Sequence, residues 1–396
     1  MLRIAMVGPF GLRPKGTMAV RALPLALALT ERGHRVKLIM PPWHTQEPPR
    51  TWHEAGVELE YVPLGPLRGH ASAPWIVQRL LRATLAWQPD VVHAFKPKAY
   101  AGLTAWWLWQ GRLRHGAPAL LVDEDDWEGR GGWEALEAYP LVQRSLFRWQ
   151  ERWGLTHAHG VTLASEALQT LAWSLGVPPA QTTWLPNGST LPCTDTPPAP
   201  TPSTLLLYTR FAEFDPLRPV AVLQALAERV PAVRLRVVGQ ALDPAREEAF
   251  DQAVVAAGLT ERVERCGWVP PNELPRLLTG CRLALWPFDD SLINRCKCSV
   301  KLADLARLGI PVVADDVGEV SRYVIHGETG WLTPPGDVSA MVARAAQLLD
   351  DQALAGRMGL AARSRYAELY DWSHLAALAE TAYTGALARR QHASGG

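Results

Sequence analysis

The sequence predicts an α/β protein built from two doubly wound, parallel-sheet domains. Three observations lead to this prediction. Short β-branched or apolar runs alternate with longer segments in which apolar residues recur every three or four positions, and the alternation begins again in the second half of the chain. A proline-rich stretch over 191–203 separates the two halves. The length of 396 residues is enough for two domains of about 200 residues each.

Composition indicates a globular protein and argues against several function classes. Apolar residues make up 48% of the chain and charged residues 20%. The formal net charge of +1 gives no support for nucleic-acid binding. No apolar run reaches the ~18 residues of a membrane span. The five cysteines, without a signal peptide, indicate reduced thiols and a cytoplasmic protein, and the Cys296-Lys-Cys298 spacing lacks the second ligand pair of a zinc site.

The first half begins with a strand over 2–8, a glycine-bearing loop and a helix over 18–32. The loop lacks the G-x-G-x-x-G pattern, and no acidic residue ends the second strand, so a nicotinamide or flavin cofactor is not favoured. Strands and helices then alternate as far as residue 185. The predicted strands are 57–62, 91–95, 119–122, 161–164 and 183–185, and the predicted helices are 75–87, 99–113, 140–153 and 166–175.

Ionisable side chains stand at the ends of two of these strands, where ligands bind in sheets of this kind. His93 and Lys96 end one strand and are expected on the acceptor side of a site. Residues 123–126 are four successive carboxylates at the end of the next strand. They cannot all ionise cheaply in a confined cleft, so at least one pKa should rise, which makes Glu124 and Asp125 candidate catalytic groups. A solvated acidic turn is the alternative interpretation.

The second half contains a strand–loop–helix–strand unit over 283–314. A buried strand over 283–288 is followed by a polar loop over 289–298. Ser299 is the expected N-cap of the helix, and Gly309 is expected in the left-handed conformation at its carboxyl end.

The amino-terminal end of this helix suits a phosphate. The backbone N–H groups of Val300, Lys301 and Leu302 are expected to be unpaired, and Lys301 adds a positive charge in the first turn. Asp304, one turn later, can accept hydrogen bonds from hydroxyl groups of the same ligand. The residues alone therefore predict a site for a phosphorylated ligand that carries hydroxyls.

Tryptophan is concentrated in the first half, where 13 of the 17 tryptophans lie. Segments such as RSLFRWQERW place tryptophan beside arginine on a predicted helix. This pattern is typical of an interfacial helix on anionic lipid, of tryptophan packed in a core under arginine stems, or of an aromatic platform for a sugar acceptor. The sequence leaves the three interpretations open, so peripheral membrane contact is one of the expected partners.

The second half resembles the donor-binding region of retaining glycosyltransferases of family 4. The resemblance rests on a strand and a loop followed by DLARLGIPVV, then by GEV and GETGWL. WLPNGS over 184–189 resembles the Pro-Asn-Gly sequence that closes the family's first domain, and TRFAEFDPLRP resembles its arginine-bearing segment. The family's two glutamates, separated by seven residues, correspond to Cys296 and Asp304.

This resemblance implies the GT-B fold, with two Rossmann-like domains that face a cleft. It also implies transfer of a sugar, with retention, from a nucleoside diphosphate to a hydroxyl of a glycan, a lipid-linked sugar or a small molecule. The nucleotide sugar is a co-substrate, so no cofactor and no metal are implied; a lipid acceptor implies a position at the inner face of a membrane. The implied domains are 1–190 on the acceptor side, a linker over 191–203, 204–370 on the donor side, and a C-terminal helix over 371–396 that returns to the first domain.

The resemblance further implies roles for single residues. Arg210 and Arg218 clamp the diphosphate, and Arg210 offsets the charge of the leaving group as a catalytic residue. Asp304 binds the ribose. The other residues expected at the donor are Gly11, Gly16 and the neighbouring Lys15, Gly239, Trp268, Val269, Ser299, Val300 and Lys301.

Two alternative functions stay open. One is a sugar-nucleotide epimerase or a phosphorylase on the same fold. The other is a catalytically silent subunit that binds a nucleotide sugar, because Cys296 stands in place of a glutamate and acidic residues stand where many members of the family have a histidine.

Overall fold

The computed structural model describes residues 1–14, 16–66, 69–137, 139–192, 201 and 203–394. The chain forms two compact units. The first contains Met1–Gly188, Cys296–Cys298 and Trp372–Gly396, and the second contains Ser189–Arg295 and Ser299–Asp371. Lys15 and most of the proline-rich stretch expected as a linker over 191–203 lie outside the described residues.

Strands and helices alternate along the described chain. The strands are β1 (Arg3–Val7), β2 (Arg35–Met40), β3 (Arg50–Glu54), β4 (Val57–Tyr61), β5 (Val91–Phe95), β6 (Ala119–Glu124), β7 (Gly160–Leu163), β8 (Thr182–Trp184), β9 (Thr204–Tyr208), β10 (Arg234–Val238), β11 (Val263–Gly267), β12 (Leu283–Trp286), β13 (Val312–Asp315) and β14 (Gly330–Thr333). The helices are α1 (Leu23–Glu31), α2 (Ala73–Ala86), α3 (Ala99–Gln110), α4 (Leu141–Thr156), α5 (Glu166–Ser174), α6 (Leu217–Arg229), α7 (Pro244–Ala256), α8 (Leu274–Thr279), α9 (Leu292–Cys296), α10 (Val300–Leu308), α11 (Val320–Tyr323), α12 (Val338–Asp350), α13 (Gln352–Leu369) and α14 (Trp372–Ser394).

The first unit is built on an eight-stranded sheet in the order β3-β4-β2-β1-β5-β6-β7-β8. Neighbouring strands are parallel except β3 and β4, which pair antiparallel at one edge. The prediction from sequence omitted β3, because its residues RTWHE are mostly exposed and lack apolar alternation. The helix predicted over 18–32 begins as a π-helical turn over Met18–Ala22 and continues as α1.

Two layers of helices cover the faces of this sheet. Ile4 and Met6 of β1 point into a core that contains α1 and α14, whereas Ala5 and Val7 point into a core that contains α2 and α3. The alternation follows from the two-residue period of a strand. Because both faces are covered, β5 and β6 are buried along their whole length.

The second unit is built on a six-stranded parallel sheet in the order β11-β10-β9-β12-β13-β14. Its core is filled by leucine, valine and phenylalanine from the strands and from α6, α7 and α12. The loop predicted over 289–298 contains the short helix α9, so that prediction was too simple. Among the described residues, no helix is both long enough and apolar enough to cross a membrane.

Gly309 ends α10 with a φ of 71°, which confirms the predicted left-handed cap. The same residue lies against α13. A Cβ added at Gly359 of α13 would stand 2.1 Å from the carbonyl oxygen of Gly309, well inside van der Waals contact. Helices α10 and α13 therefore pack at a distance that only glycine allows.

We expect Gly359→Ala to lower the free energy of unfolding by about 1–3 kcal/mol, because its methyl group meets backbone that cannot move aside easily. Gly356→Ala in the same helix is the matched control. Its Cβ would meet nothing within 4 Å, so the better helix propensity of alanine should raise stability by roughly 0.5–1 kcal/mol. Urea unfolding of both variants measures the difference, and equal effects would contradict the close approach.

Candidate active site

The carboxyl end of the first sheet carries a buried cluster of charged side chains. Lys96 follows β5, and its Nζ lies 3.0 Å from Asp125 Oδ1, 3.0 Å from Asp126 Oδ2 and 3.3 Å from Glu128 Oε1. Burial alone would lower the pKa of Lys96, but these carboxylates hold it well above the ordinary value. Lys98 Nζ lies 2.6 Å from the second oxygen of Glu128. Two lysines thus bind three of the carboxylates at this strand end.

The backbone at this end is strained. Lys96 and Ala99 have φ values of 51° and 48°, a region that residues with a side chain rarely adopt. Such strain persists where the surrounding structure enforces it, and it is often found at functional sites. The strand-end position of Lys96 therefore supports a site here, although Lys96 is already held by carboxylates rather than open to a ligand.

The neighbouring carboxyls Glu124 and Asp125 lie in different surroundings. Asp125 is nearly buried, accepts a 2.8 Å hydrogen bond from Thr17 Oγ1, and has a pKa raised mainly by burial. Glu124 is fully buried, and among the described residues its oxygens have no hydrogen-bond partner. Burial and the charge of Glu151 raise its pKa well above the ordinary value. This placement corrects the predicted catalytic role of Glu124, since a carboxyl that is fully buried inside the core cannot reach a substrate; the role of Asp125 stays a prediction.

Glu151 is a buried carboxyl that the sequence analysis missed. It lies on α4, and its Oε1 accepts a 2.6 Å hydrogen bond from the backbone N–H of Glu128. Burial raises its pKa to about 8. The sequence does contain a pattern that indicates its burial. Glu151 stands four residues after Phe147 and four before Leu155, on the apolar face of α4.

The structure also corrects the prediction that His93 contacts an acceptor. His93 has no exposed surface. Its Nδ1 lies 3.0 Å from the hydroxyl of Tyr383 on α14, and its Nε2 lies 2.9 Å from Thr162 Oγ1. Burial lowers its pKa to about 4, so the ring is neutral, and both of its nitrogens make hydrogen bonds inside the core.

A buried ion pair between Arg21 and Asp123 lies next to this cluster. The guanidinium of Arg21 binds both oxygens of Asp123 at 2.8 and 2.7 Å and lies 2.9 Å from Asn187 Oδ1. Asn187 in turn donates from Nδ2 to the carbonyl oxygen of Cys298 at 2.7 Å. The sequence analysis missed Arg21, because an arginine inside an apolar helix is usually exposed.

Cys296 occupies the position of the family's first glutamate. It is fully buried in the first unit, and its carbonyl oxygen accepts a 2.8 Å hydrogen bond from Ser165 Oγ. Burial raises the pKa of its thiol to about 12, so the side chain is neutral. Gly11 lies against the ring of Tyr61 and Gly16 is exposed, and a donor contact of either one stays a prediction.

In the second unit, the carboxyl ends of β11, β10 and β9 lie side by side and carry three predicted residues. Trp268 follows β11 and is 69% exposed. Gly239 follows β10 with a φ of 118°, and a Cβ there would stand 1.9 Å from the carbonyl oxygen of Thr209. Arg210 follows β9 and is 45% exposed, with a long 3.5 Å contact to Glu213. Parallel strands thus align an indole, a glycine that permits close approach, and a guanidinium along one edge.

The first turn of α10 reaches the same edge. Lys301 Nζ lies 5.2 Å from the ring centroid of Tyr208, the last residue of β9. The carbonyl oxygen of Ser299 accepts from Leu302 N–H at 3.1 Å, so the prediction that this N–H is unpaired was wrong. The N–H groups of Val300 and Lys301 come too early in the helix for a partner inside it. This end of α10 therefore places two backbone N–H groups and a lysine at the edge of the sheet.

Asp304 and Arg218 are engaged within the second unit. Asp304 is buried, accepts 2.5 Å from Ser189 Oγ and 3.4 Å from the Tyr208 hydroxyl, and has a pKa raised to about 6 by burial. Arg218 lies 2.6 Å from Asp315 and 2.9 Å from Asp289. Its charge is thus offset by two carboxylates, which disfavours its predicted role as a diphosphate clamp. Val269 is nearly buried beside Trp268.

Comparison with known proteins identifies the two units. A family model described as a glycosyl transferase 4-like domain matches residues 16–188, and a model described as glycosyl transferases group 1 matches residues 218–351. The chain is 35% identical over 83 residues to glycogen synthase of Mycobacterium tuberculosis, which is 21% of this chain and 20% of that protein. It is 24% identical to phosphatidyl-myo-inositol mannosyltransferase of Mycobacterium leprae over 388 residues, covering 95% of this chain and 94% of that one.

Solved structures share the fold over nearly the whole length of the chain. Sucrose-phosphate synthase from Thermosynechococcus elongatus superposes with a TM-score of 0.72 at 21% identity, covering 97% of this chain and 98% of that one. Anabaena HepE in complex with UDP and glucose superposes with a TM-score of 0.69 at 19% identity, covering 96% and 99%. These likenesses confirm the predicted fold class, which is GT-B with two parallel-sheet α/β domains.

The buried carboxyl Glu151 generates a pH prediction. Because the pKa of Glu151 is near 8 in the folded chain and near its ordinary value of 4.5 when unfolded, the folded state retains a proton that the unfolded state releases. The free energy of unfolding should therefore fall as the pH rises from about 4.5 to about 8. Glu151→Gln keeps an acceptor for the N–H of Glu128 and removes this titration. We expect the free energy of unfolding of the variant to exceed that of the wild type by more than about 1 kcal/mol at pH 9. This difference should shrink toward pH 5.

Urea unfolding between pH 5 and pH 9 measures this difference. Glu368→Gln, at an exposed position of α13, is the control and should not change the pH dependence. A pH profile of Glu151→Gln that follows the wild type would contradict the raised pKa.

Proposed function

The chain belongs to the group 1 glycosyltransferases, and from this premise we propose that it transfers a sugar from a nucleoside diphosphate to an acceptor hydroxyl with retention of the anomeric configuration. The observation that carries the proposal is the edge of the second sheet. There Arg210 and Lys301 both lie near Tyr208 at the end of β9, where the amino-terminal end of α10 also lies. A diphosphate is the ligand that this combination suits.

The diphosphate is proposed to bind to the first turn of α10. The N–H groups of Val300 and Lys301 point toward the positive end of the helix dipole, and the Lys301 ammonium adds a full charge. Arg210 supplies the planar guanidinium that matches phosphate oxygens. Since Arg218 is already neutralised by Asp289 and Asp315, the proposed clamp consists of one guanidinium, one ammonium and two backbone donors.

The nucleoside is proposed to extend along the carboxyl ends of β10 and β11. The exposed indole of Trp268 offers a face on which a base can stack, and the backbone at Val269 offers polar groups to its edge. Gly239 permits a close approach of the ligand to the backbone. The structure of HepE with UDP and glucose supports the choice of a nucleotide and a sugar, since that protein shares the fold.

In the proposed reaction, a bond forms between the acceptor oxygen and the anomeric carbon, and the bond from that carbon to the diphosphate breaks. The acceptor proton passes to the departing diphosphate. Arg210 and Lys301 offset the charge that grows on this leaving group, a role that a metal ion plays in other enzymes. We therefore propose a metal-independent transferase, and transfer that persists in EDTA would agree with this.

We expect one nucleoside diphosphate among UDP, GDP, ADP and TDP to bind in calorimetry, and Arg210→Ala and Lys301→Ala each to weaken this binding about tenfold or more. The reason is that each variant removes a charged donor to the diphosphate. Arg357→Ala, at an exposed position of α13, changes the net charge equally and should bind as the wild type does.

Product analysis then tests the reaction itself. With the sugar conjugate of the diphosphate that binds, a product that forms only when an acceptor is added supports transfer, and NMR of its anomeric proton reports the configuration. A changed sugar nucleotide without acceptor would indicate an epimerase instead. Absence of binding across the whole panel would refute the donor site.

Asp304 is proposed to hold the ribose, and two variants separate this role from its contacts within the unit. Asp304→Ala should weaken binding of the nucleoside diphosphate more than tenfold, because a charged acceptor is lost. Ser189→Ala breaks the 2.5 Å hydrogen bond to the same carboxylate but leaves the carboxylate in place, so it should bind within about twofold of the wild type. Calorimetry measures the affinity of both variants for the nucleoside diphosphate. Equal losses of affinity would mean that Asp304 acts through its hydrogen bond to Ser189 and not by binding the ribose.

A further inference from the structure

Helices α2, α3 and α4 form a layer on one face of the first sheet. Helix α3 packs against α2 on one side and against α4 on the other, while α1 and α14 pack together on the opposite face. The layer contains the tryptophan- and arginine-rich segments of the sequence, which the proposed donor chemistry does not use. The exposed side chains of this layer therefore need an explanation other than donor binding.

The outward face of α4 is apolar over its first half. Leu141 is 78% exposed, Val142 84%, Leu146 39% and Trp149 42%. At 100° per residue these four positions fall within one side of the helix, and we name them the α4 apolar face. Leu136, just before the helix, is 55% exposed as well.

This face is unusual for a helix on a protein surface. The opposite side of α4 is already buried in the unit through residues such as Phe147 and Leu155. A surface helix normally keeps its remaining side polar, and contiguous exposed apolar residues mark a place where something binds. The packing of the core cannot explain Leu141 and Val142, because both side chains are mostly exposed.

The exposed charges on the three helices of this layer are basic. Helices α2 and α3 contain no aspartate or glutamate, and the one acidic residue of α4 is Glu151, which is fully buried. The acidic residues Glu134 and Glu137 lie before α4, and Glu134 is buried and pairs with Arg148. The other arginines of α2 and α4 are the exposed Arg82 and Arg152 and the partly exposed Arg79 and Arg144. Arg79 also lies over the ring of the partly exposed Trp75 at 4.4 Å.

We propose that the first unit docks on an anionic lipid bilayer through the α4 apolar face. Leucine, valine and tryptophan side chains enter the boundary between headgroups and acyl chains, and the arginines meet lipid phosphates, as in interfacial helices. A second copy of the chain fits this surface poorly. A two-fold contact would bring arginine-bearing surfaces of two subunits together, and like charges oppose such a contact.

The apolar face begins near the carboxyl end of the first sheet. Lys98, which follows β5 at that end, lies 5.5 Å from the ring centroid of Phe147 and 5.9 Å from that of Tyr139, just before α4. A docked bilayer would thus lie close to the strand ends that carry Lys96 and Asp125. Delivery of a lipid-linked acceptor there is a consequence that rests on the proposed function, whereas docking itself does not.

Co-sedimentation with vesicles tests the docking without any nucleotide sugar. The full chain should bind vesicles of phosphatidylcholine with phosphatidylglycerol more tightly than phosphatidylcholine alone, and added salt should weaken binding because it screens the arginines. The double variant Leu141→Gln/Val142→Gln should bind the anionic vesicles about tenfold more weakly or worse, since two apolar side chains no longer enter the bilayer.

The matched control is Val255→Gln/Leu360→Gln in the second unit. These residues are 67% and 69% exposed, so the control removes the same two side-chain types at similar exposure, and it should bind as the wild type does. Equal thermal midpoints of all three proteins exclude a folding effect. Wild-type protein that ignores anionic vesicles, or a Leu141→Gln/Val142→Gln variant that binds them equally well, would overturn the proposal. If the wild type instead forms a dimer and does not bind vesicles, and if the Leu141→Gln/Val142→Gln variant is a monomer, the face binds a second copy of the chain.

Discussion

The ion pair between Arg21 and Asp123 sets the arrangement of the acidic strand end in the first unit. Both side chains are almost completely buried, and loss of either partner would leave an isolated charge in the core, which costs about 3–5 kcal/mol. Arg21 holds the pKa of Asp123 below its ordinary value despite burial, and Thr162 and Asn187 complete the hydrogen bonds. The pair joins β6 to the π-helical turn that precedes α1, and through Asn187 it reaches the carbonyl oxygen of Cys298.

This constraint explains how four successive carboxylates can share one strand end. Successive side chains of β6 point to opposite faces, so Asp123 meets Arg21 whereas Glu124 points toward Glu151 on the other side. Asp125 and Asp126 then share the single ammonium of Lys96. The expectation that at least one pKa would rise is confirmed for both Glu124 and Asp125, but Glu124 lies fully buried in the core. A raised pKa alone therefore does not separate a carboxyl in the core from one at the strand end.

Much of the fold could be predicted from local pattern, whereas most of the site could not. The strands, the helices and the glycine cap of α10 follow from apolar periodicity and from one residue with a special conformation, Gly309. The partners of Arg218 and His93 cannot be read locally, because Asp315 lies 97 positions from Arg218 and Tyr383 lies 290 from His93. Exposure distinguishes two arginines that look alike in sequence, because 45% of the Arg210 side chain is exposed and only 12% of the Arg218 side chain is.

The same distinction applies to the tryptophans that make the first half conspicuous. Most of those described are partly or wholly covered, and in the α2–α4 layer only Trp75, Trp107 and Trp149 are among the exposed large side chains. Packing therefore accounts for much of the tryptophan content, as one of the three interpretations held. The least covered large apolar side chains of this layer are instead Leu141 and Val142, which no composition statistic singles out. The proposed membrane-binding surface therefore depends on which apolar residues of α4 are exposed and not on the number of tryptophans in the helix.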